Sequence, residues 1–134
     1  MAALTTDRIA EKKLQPRPTR VPRVVNGAAG TVYRNALVGT LADGTVEPVQ
    51  AGGTYVEILL SDERLEAGER GEFLSGAIVE VLTDFAADAS VNGDAVFGID
   101  DQTCSDVQAD GPQIGTVYSV INAGRVFVDT RNLG

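Results

Sequence analysis

Between Gly76 and Asp129 the chain alternates short apolar runs with turn chemistry, and that alternation constrains the fold more than anything else in the sequence. The runs are Ala77 to Leu82, Ala95 to Ile99, Ile114 to Ile121 and Val126 to Val128. They are rich in Val, Ile and Phe, whose branched or flat side chains suit a pleated surface. Asn92-Gly93-Asp94, Asp110-Gly111-Pro112 and Asn122-Ala123-Gly124 separate them, placing Gly, Asn and Pro where the backbone must reverse. The pattern predicts an all-β fold, a small barrel or sandwich, with this stretch as its folding core.

Upstream the β pattern is weaker. Thr31 to Val38 reads as a first strand region, and the turn Leu41 to Thr45 leads into Val46 to Val49. After Gly52-Gly53 comes Thr54 to Leu60, a strongly apolar strand, and Glu72 to Leu74 enters the core region. Ser61 to Ala67 reads as a solvated loop, or as one helical turn capped by Ser61. The tetrapeptide GTVY occurs at Gly30 to Tyr33 and at Gly115 to Tyr118, a match too short to count as a repeat. With 134 residues and 43% apolar content, the chain is sized for one domain with one core.

Charge divides the chain in two. Residues 1–28 hold Arg8, Lys12, Lys13, Arg17, Arg20 and Arg23 against Asp7 and Glu11, a net +4. Residues 29–134 hold five arginines against seventeen acids, a net −12, and contain no lysine; the two parts together give the −8 of the whole chain. The expected organisation is an extended basic N-terminal arm over 1–28 and a β-barrel-like domain over 29–134. Within the arm, Leu4 to Leu14 is too short to be helical alone and is expected to order only on binding. Pro16, Pro18 and Pro22 fix φ and forbid helix, so the segment around them reads as a stiff extended strap. Two roles suit such a strap: a solubilising tail, or a strand laid across a neighbouring subunit. The acidic body repels phosphate backbones, which disfavours nucleic acid as a partner.

Chemistry is sparse. Without histidine there is no Ser-His-Asp or Cys-His pair, and Cys104 has no basic neighbour to lower its pKa, so a buried, inert thiol is expected. One cysteine also allows no internal disulfide. Asp100, Asp101, Asp106 and Asp110 offer oxygen ligands but lack the spacing of a calcium loop, and adjacent Asp100 and Asp101 suit a turn better than an acid–base pair. There is no phosphate-binding glycine loop and no apolar run near the length that crosses a bilayer. The reading is therefore a soluble protein with no catalytic, cofactor or metal site.

Residues 68 to 129 resemble the small capsid decoration, or head cement, proteins of tailed bacteriophages, a family long catalogued as a domain of unknown function. The resemblance rests on AGERGEF at Ala67 to Phe73, G-x-I-x-E-V at Gly76 to Val81 and A-x-V-N-G-D-A-V-F at Ala89 to Phe97. It continues through an Asp-rich hairpin, I-G-T-V at Ile114 to Val117 and G-R-V-F-V-D-T at Gly124 to Thr130, with a looser match over 29 to 50. Two features depart from the family pattern: the basic strap and the acidic Ser61 to Ala67 insertion. The resemblance implies a structural virion protein on the outer surface of an icosahedral head, often a homo-trimer at three-fold or quasi-three-fold positions, with the major capsid protein as partner.

Such a role makes physical sense. A clamp that binds the closed shell and not its separated parts stabilises that shell, and a tethered arm raises the effective concentration of the body's own contact. Arg8, Lys12, Lys13, Arg17, Arg20 and Arg23 are then expected to meet acidic capsid patches, with Pro16, Pro18 and Pro22 reducing the entropy lost on docking. Two further readings stand beside it: a β-rich module that binds a small molecule or glycan, and an enzyme with a carboxylate pair hidden in a cleft.

Overall fold

The computed structural model describes residues 3–8 and 12–131, with the side chains of 12–18 outside that description. Among the described residues the strands are β1 (Lys12–Val24), β2 (Leu37–Thr40), β3 (Val46–Pro48), β4 (Glu57–Ser61), β5 (Arg70–Thr83), β6 (Ala95–Gly98), β7 (Thr103–Ser105), β8 (Gln113–Asn122) and β9 (Arg125–Asp129). Two single 3-10 turns, Ala89–Val91 and Gln108–Asp110, complete the regular structure. The fold is all-β.

Five strands close into a barrel. β5 pairs with β7 in parallel, β7 with β6, β6 with β8 and β8 with β9, and β9 returns to β5 at Ile78 to Leu82. Closure removes the free edges that an open sheet would expose. Val79, Val81, Val96, Ile114, Val117, Val126 and Val128 fill the interior, the inward-facing residues of the runs seen in the sequence.

The first half of β5 carries a second layer. β4 pairs with β5 at Leu60↔Leu74, β2 with β4 and β3 with β2. β2 and β4 are apolar on both faces because each face meets a core. Leu37, Ile58 and Leu60 point into the barrel core, while Val38 and Leu59 point into a second cluster with Val25, Val32, Val46, Leu65 and Phe73. A strand buried on both sides shows a continuous apolar run, which is why β4 reads so strongly in the sequence.

Gly76 lets one long strand serve both cores. Phe73 faces the second core and Leu74 the barrel core, yet Ala77, three residues on, also faces the barrel core. A regular pleat has a side-chain period of two, so one residue must be inserted. Gly76, at φ 81°, supplies it. The register with β1 jumps there, from Leu14↔Ala77 to Thr19↔Ser75, so Gln15, Pro16, Arg17 and Pro18 sit opposite that one glycine.

Two local expectations change. The strand expected over Thr31 to Val38 shrinks to β2, because Asn35 adopts a left-handed conformation (φ 64°) that breaks the pleat, leaving only a bridge from Val32 to Leu65. Ser61 to Ala67 is a loop with no helical turn, solvated at Glu63, Arg64, Glu66 and Ala67 but pinned at two buried residues. Ser61 ends β4 fully buried, with its hydroxyl donating to Tyr33 O (2.5 Å) and accepting from Ala36 N–H (3.0 Å), and Leu65 is buried in the second core. The two GTVY segments differ in structure: Gly30 to Tyr33 lies outside the named strands, whereas Gly115 to Tyr118 is part of β8.

Candidate interaction surface

The proline-rich strap lies along its own body. β1 pairs antiparallel with β5 from Lys12↔Val79 to Val24↔Arg70, and among the described residues it pairs with no other strand. It is the outer edge of the sheet. Val25 beyond it donates its N–H to Glu69 O (2.8 Å), and the alternation of an antiparallel ladder then turns the main-chain groups of Val24, Pro22 and Arg20 outward. Pro22 has no N–H to offer there, and its carbonyl accepts from Arg23 Nη1 (2.8 Å). A proline and a covered carbonyl blunt an edge against strand addition. Thus the extended backbone expected from Pro16, Pro18 and Pro22 is present as a strand, tolerated because an edge strand needs donors on one side only.

The basic residues of this region fall into three groups. Arg20 pairs with Asp62 (2.7 Å) and Arg23 with Glu57 (2.7 Å), and Glu57 also accepts from Thr40 Oγ1 (2.8 Å). Exposed pairs of this kind contribute little to stability, so they position the strand more than they stabilise it. Arg8 is partly buried, with Nε donating to Asn35 O (2.8 Å). Burial pulls its pKa down, opposed by the charges of Glu80 and Asp101. Lys12, Lys13 and Arg17 lie in β1, and their side chains, like those of Pro16 and Pro18, are outside the described residues.

The Leu4 to Leu14 segment, expected to order only on binding, lies on the body in its described parts, Leu4 to Arg8 and Lys12 to Leu14. Leu4 N–H donates to Asp101 Oδ1 (2.9 Å), Asn35 Nδ2 to Arg8 O (2.6 Å) and Arg34 N–H to Asp7 Oδ1 (2.9 Å). Arg64 meets Asp7 at 3.3 Å and lies over the Tyr33 ring, 5.1 Å from its centre. Asn35 thus explains its own strained backbone: the left-handed turn presents both its carbonyl and its amide to Arg8. Nothing local in the sequence links Leu4 to an aspartate 97 positions away.

The candidate chemical groups are held apart. Cys104 is fully buried in β7, and burial pushes its thiol up to about 12. Asp100 accepts from Gln102 N–H (2.9 Å), so the adjacent pair does build a turn, while Asp101 serves the N-terminal segment. Burial, reinforced by Asp100, raises Asp101 to about 6 despite the Leu4 hydrogen bond. Asp110 accepts from Ser105 Oγ, and among the described residues no group of three or more acids and thiols could hold a metal ion.

Two clefts are large enough to notice. One, of about 460 Å³, lies between the end of β1 and the turn joining β2 to β3; the other, of about 650 Å³, runs beside Ala3, Asn26 and Asp100. Neither is lined by an aromatic ring, the usual platform for a sugar. Against protein-family models, curated proteins and solved structures, the chain matches none.

Proposed function

We propose that this protein is a structural virion component that binds the outside of a tailed-phage head and holds neighbouring capsid subunits together, without transforming a substrate. The observation that carries the reading is the placement of the basic segment. Both lysines of the chain lie in β1, on the outer edge of an acidic two-core body. Arg20 and Arg23 are spent within the chain, so Lys12, Lys13 and Arg17 are the cations that would meet acidic capsid patches. A strand fixed on its own sheet loses little entropy when it docks, which suits a clamp that must act in many copies.

The test is co-sedimentation of the full chain with undecorated heads. The triple variant Lys12→Glu, Lys13→Glu, Arg17→Glu should bind much more weakly, and rising salt should weaken the wild type. Binding that ignores both changes would remove the basic strand from the mechanism. No binding to heads at all would remove the capsid.

A further inference from the structure

We infer that the cleft between β1 and the β2–β3 turn is a contact between two copies of this chain. Its lining includes two exposed valines: Val56 is 69% exposed and Val24 37%. The other large exposed apolar side chains, Val107, Tyr118 and Ile121, line none of the described clefts. A valine left this open beside Thr40 is not required by the fold, since the neighbouring β4 residues Ile58 to Leu60 already fill both cores.

Charge names the occupant. The body as a whole is strongly acidic, so two copies repel over most of their surface. This cleft is locally balanced. Arg23 and Glu57 neutralise each other on its floor, Arg70 stands on the β1–β5 wall and Asp43 on the opposite turn. Arg70 makes no ion pair among the described residues. Asp43 is exposed and uses Oδ1 for Thr45 N–H (3.0 Å) and Oγ1 (2.7 Å), hydrogen bonds that hold its carboxyl below the usual carboxylate range. A two-fold axis through the cleft would set Arg70 of each copy against Asp43 of the other and bury Val24 and Val56 between them. The patch is self-complementary, as an isologous contact requires. The capped outer edge of β1 directs this association to side chains and not to strand pairing. The inference stands apart from the capsid reading and does not depend on it.

Sedimentation equilibrium on the full chain tests it. The wild type should associate to twice the 14.0 kDa chain mass. Val56→Asp, Arg70→Glu and Asp43→Lys should each weaken dimerisation at least tenfold with circular dichroism unchanged. Because Asp43→Lys also loses the Thr45 cap, Asp43→Asn, which keeps the acceptor and drops the charge, serves as the milder variant and should weaken association too. The decisive mixture combines Arg70→Glu with Asp43→Lys: each fails alone, and together they should recover mixed dimers, because both contacts then pair opposite charges. A monomeric wild type, a three-fold mass, or a mixture that stays dissociated would each overturn the two-fold contact.

Discussion

Replacing Asp101 by Asn should stabilise the protein at neutral pH and leave it unchanged in acid. Asp101 is 2% exposed, and its pKa rises from 3.8 to about 6, chiefly because burial penalises the charged carboxylate. The native state therefore holds a proton that the unfolded chain releases between these two values. That contribution to stability is fully present below pH 3.8 and is lost as pH rises through about 6. A shift of two units corresponds to about 3 kcal/mol at pH 7. In Asp101→Asn the side-chain amide keeps an acceptor for Leu4 N–H and carries no charge, so the variant should gain up to that amount. Asp7, Asp43, Asp88 and Asp129, whose pKa values are lowered by their hydrogen bonds, lose stability as pH falls in both proteins and cancel in the difference. Urea unfolding followed by circular dichroism at steps from pH 3.5 to 8 gives the comparison. Curves that diverge between pH 4 and 6 and then run parallel support the reasoning. Parallel curves throughout would show that Asp101 does not carry a buried charge.

Three other outcomes follow from the packing. Gly39→Ala should cost about 1 to 3 kcal/mol, because a Cβ there overlaps the Tyr55 ring; thermal unfolding with tyrosine emission checks it, the chain having no tryptophan. Cys104 should ignore an aromatic disulfide reagent in the native protein and react in urea, as a fully buried thiol raised to about 12 requires; prompt native labelling would contradict its burial. Deleting residues 1–23 should impair folding instead of yielding a stable body, since it bares the edge of β5 and takes Leu4 and Val21 from the second core. A truncated chain with a wild-type circular dichroism spectrum and melting curve would show that β1 adds nothing.

Much of the barrel is legible in the sequence because its signals are local. The runs over Ala95 to Ile99, Ile114 to Ile121 and Val126 to Val128 form β6, β8 and β9, and Asn122-Ala123-Gly124 makes the hairpin turn between the last two, with Asn122 Oδ1 accepting from Gly124 N–H (2.9 Å). β7 is not legible: three residues, Thr103–Ser105, are too few to show a period. β5 reads as two strands because Ser75-Gly76 resembles a break, when the glycine in fact shifts one strand's pleat by a residue. β1 hides behind its prolines, which forbid helix yet permit an edge strand. The surface is less legible than the fold. Composition shows that Arg8, Arg20 and Arg23 are basic but not that their neighbours in space are Asn35, Asp62 and Glu57, contacts that only the folded chain creates.

Electron cryo-microscopy of undecorated heads, imaged with and without the added full chain, addresses the proposed role most directly. The account predicts added density on the outer surface, repeated at equivalent positions between capsid subunits, with β1 nearest the shell. A shell that stays bare at saturating protein, or density bound only inside it, would contradict the role proposed here.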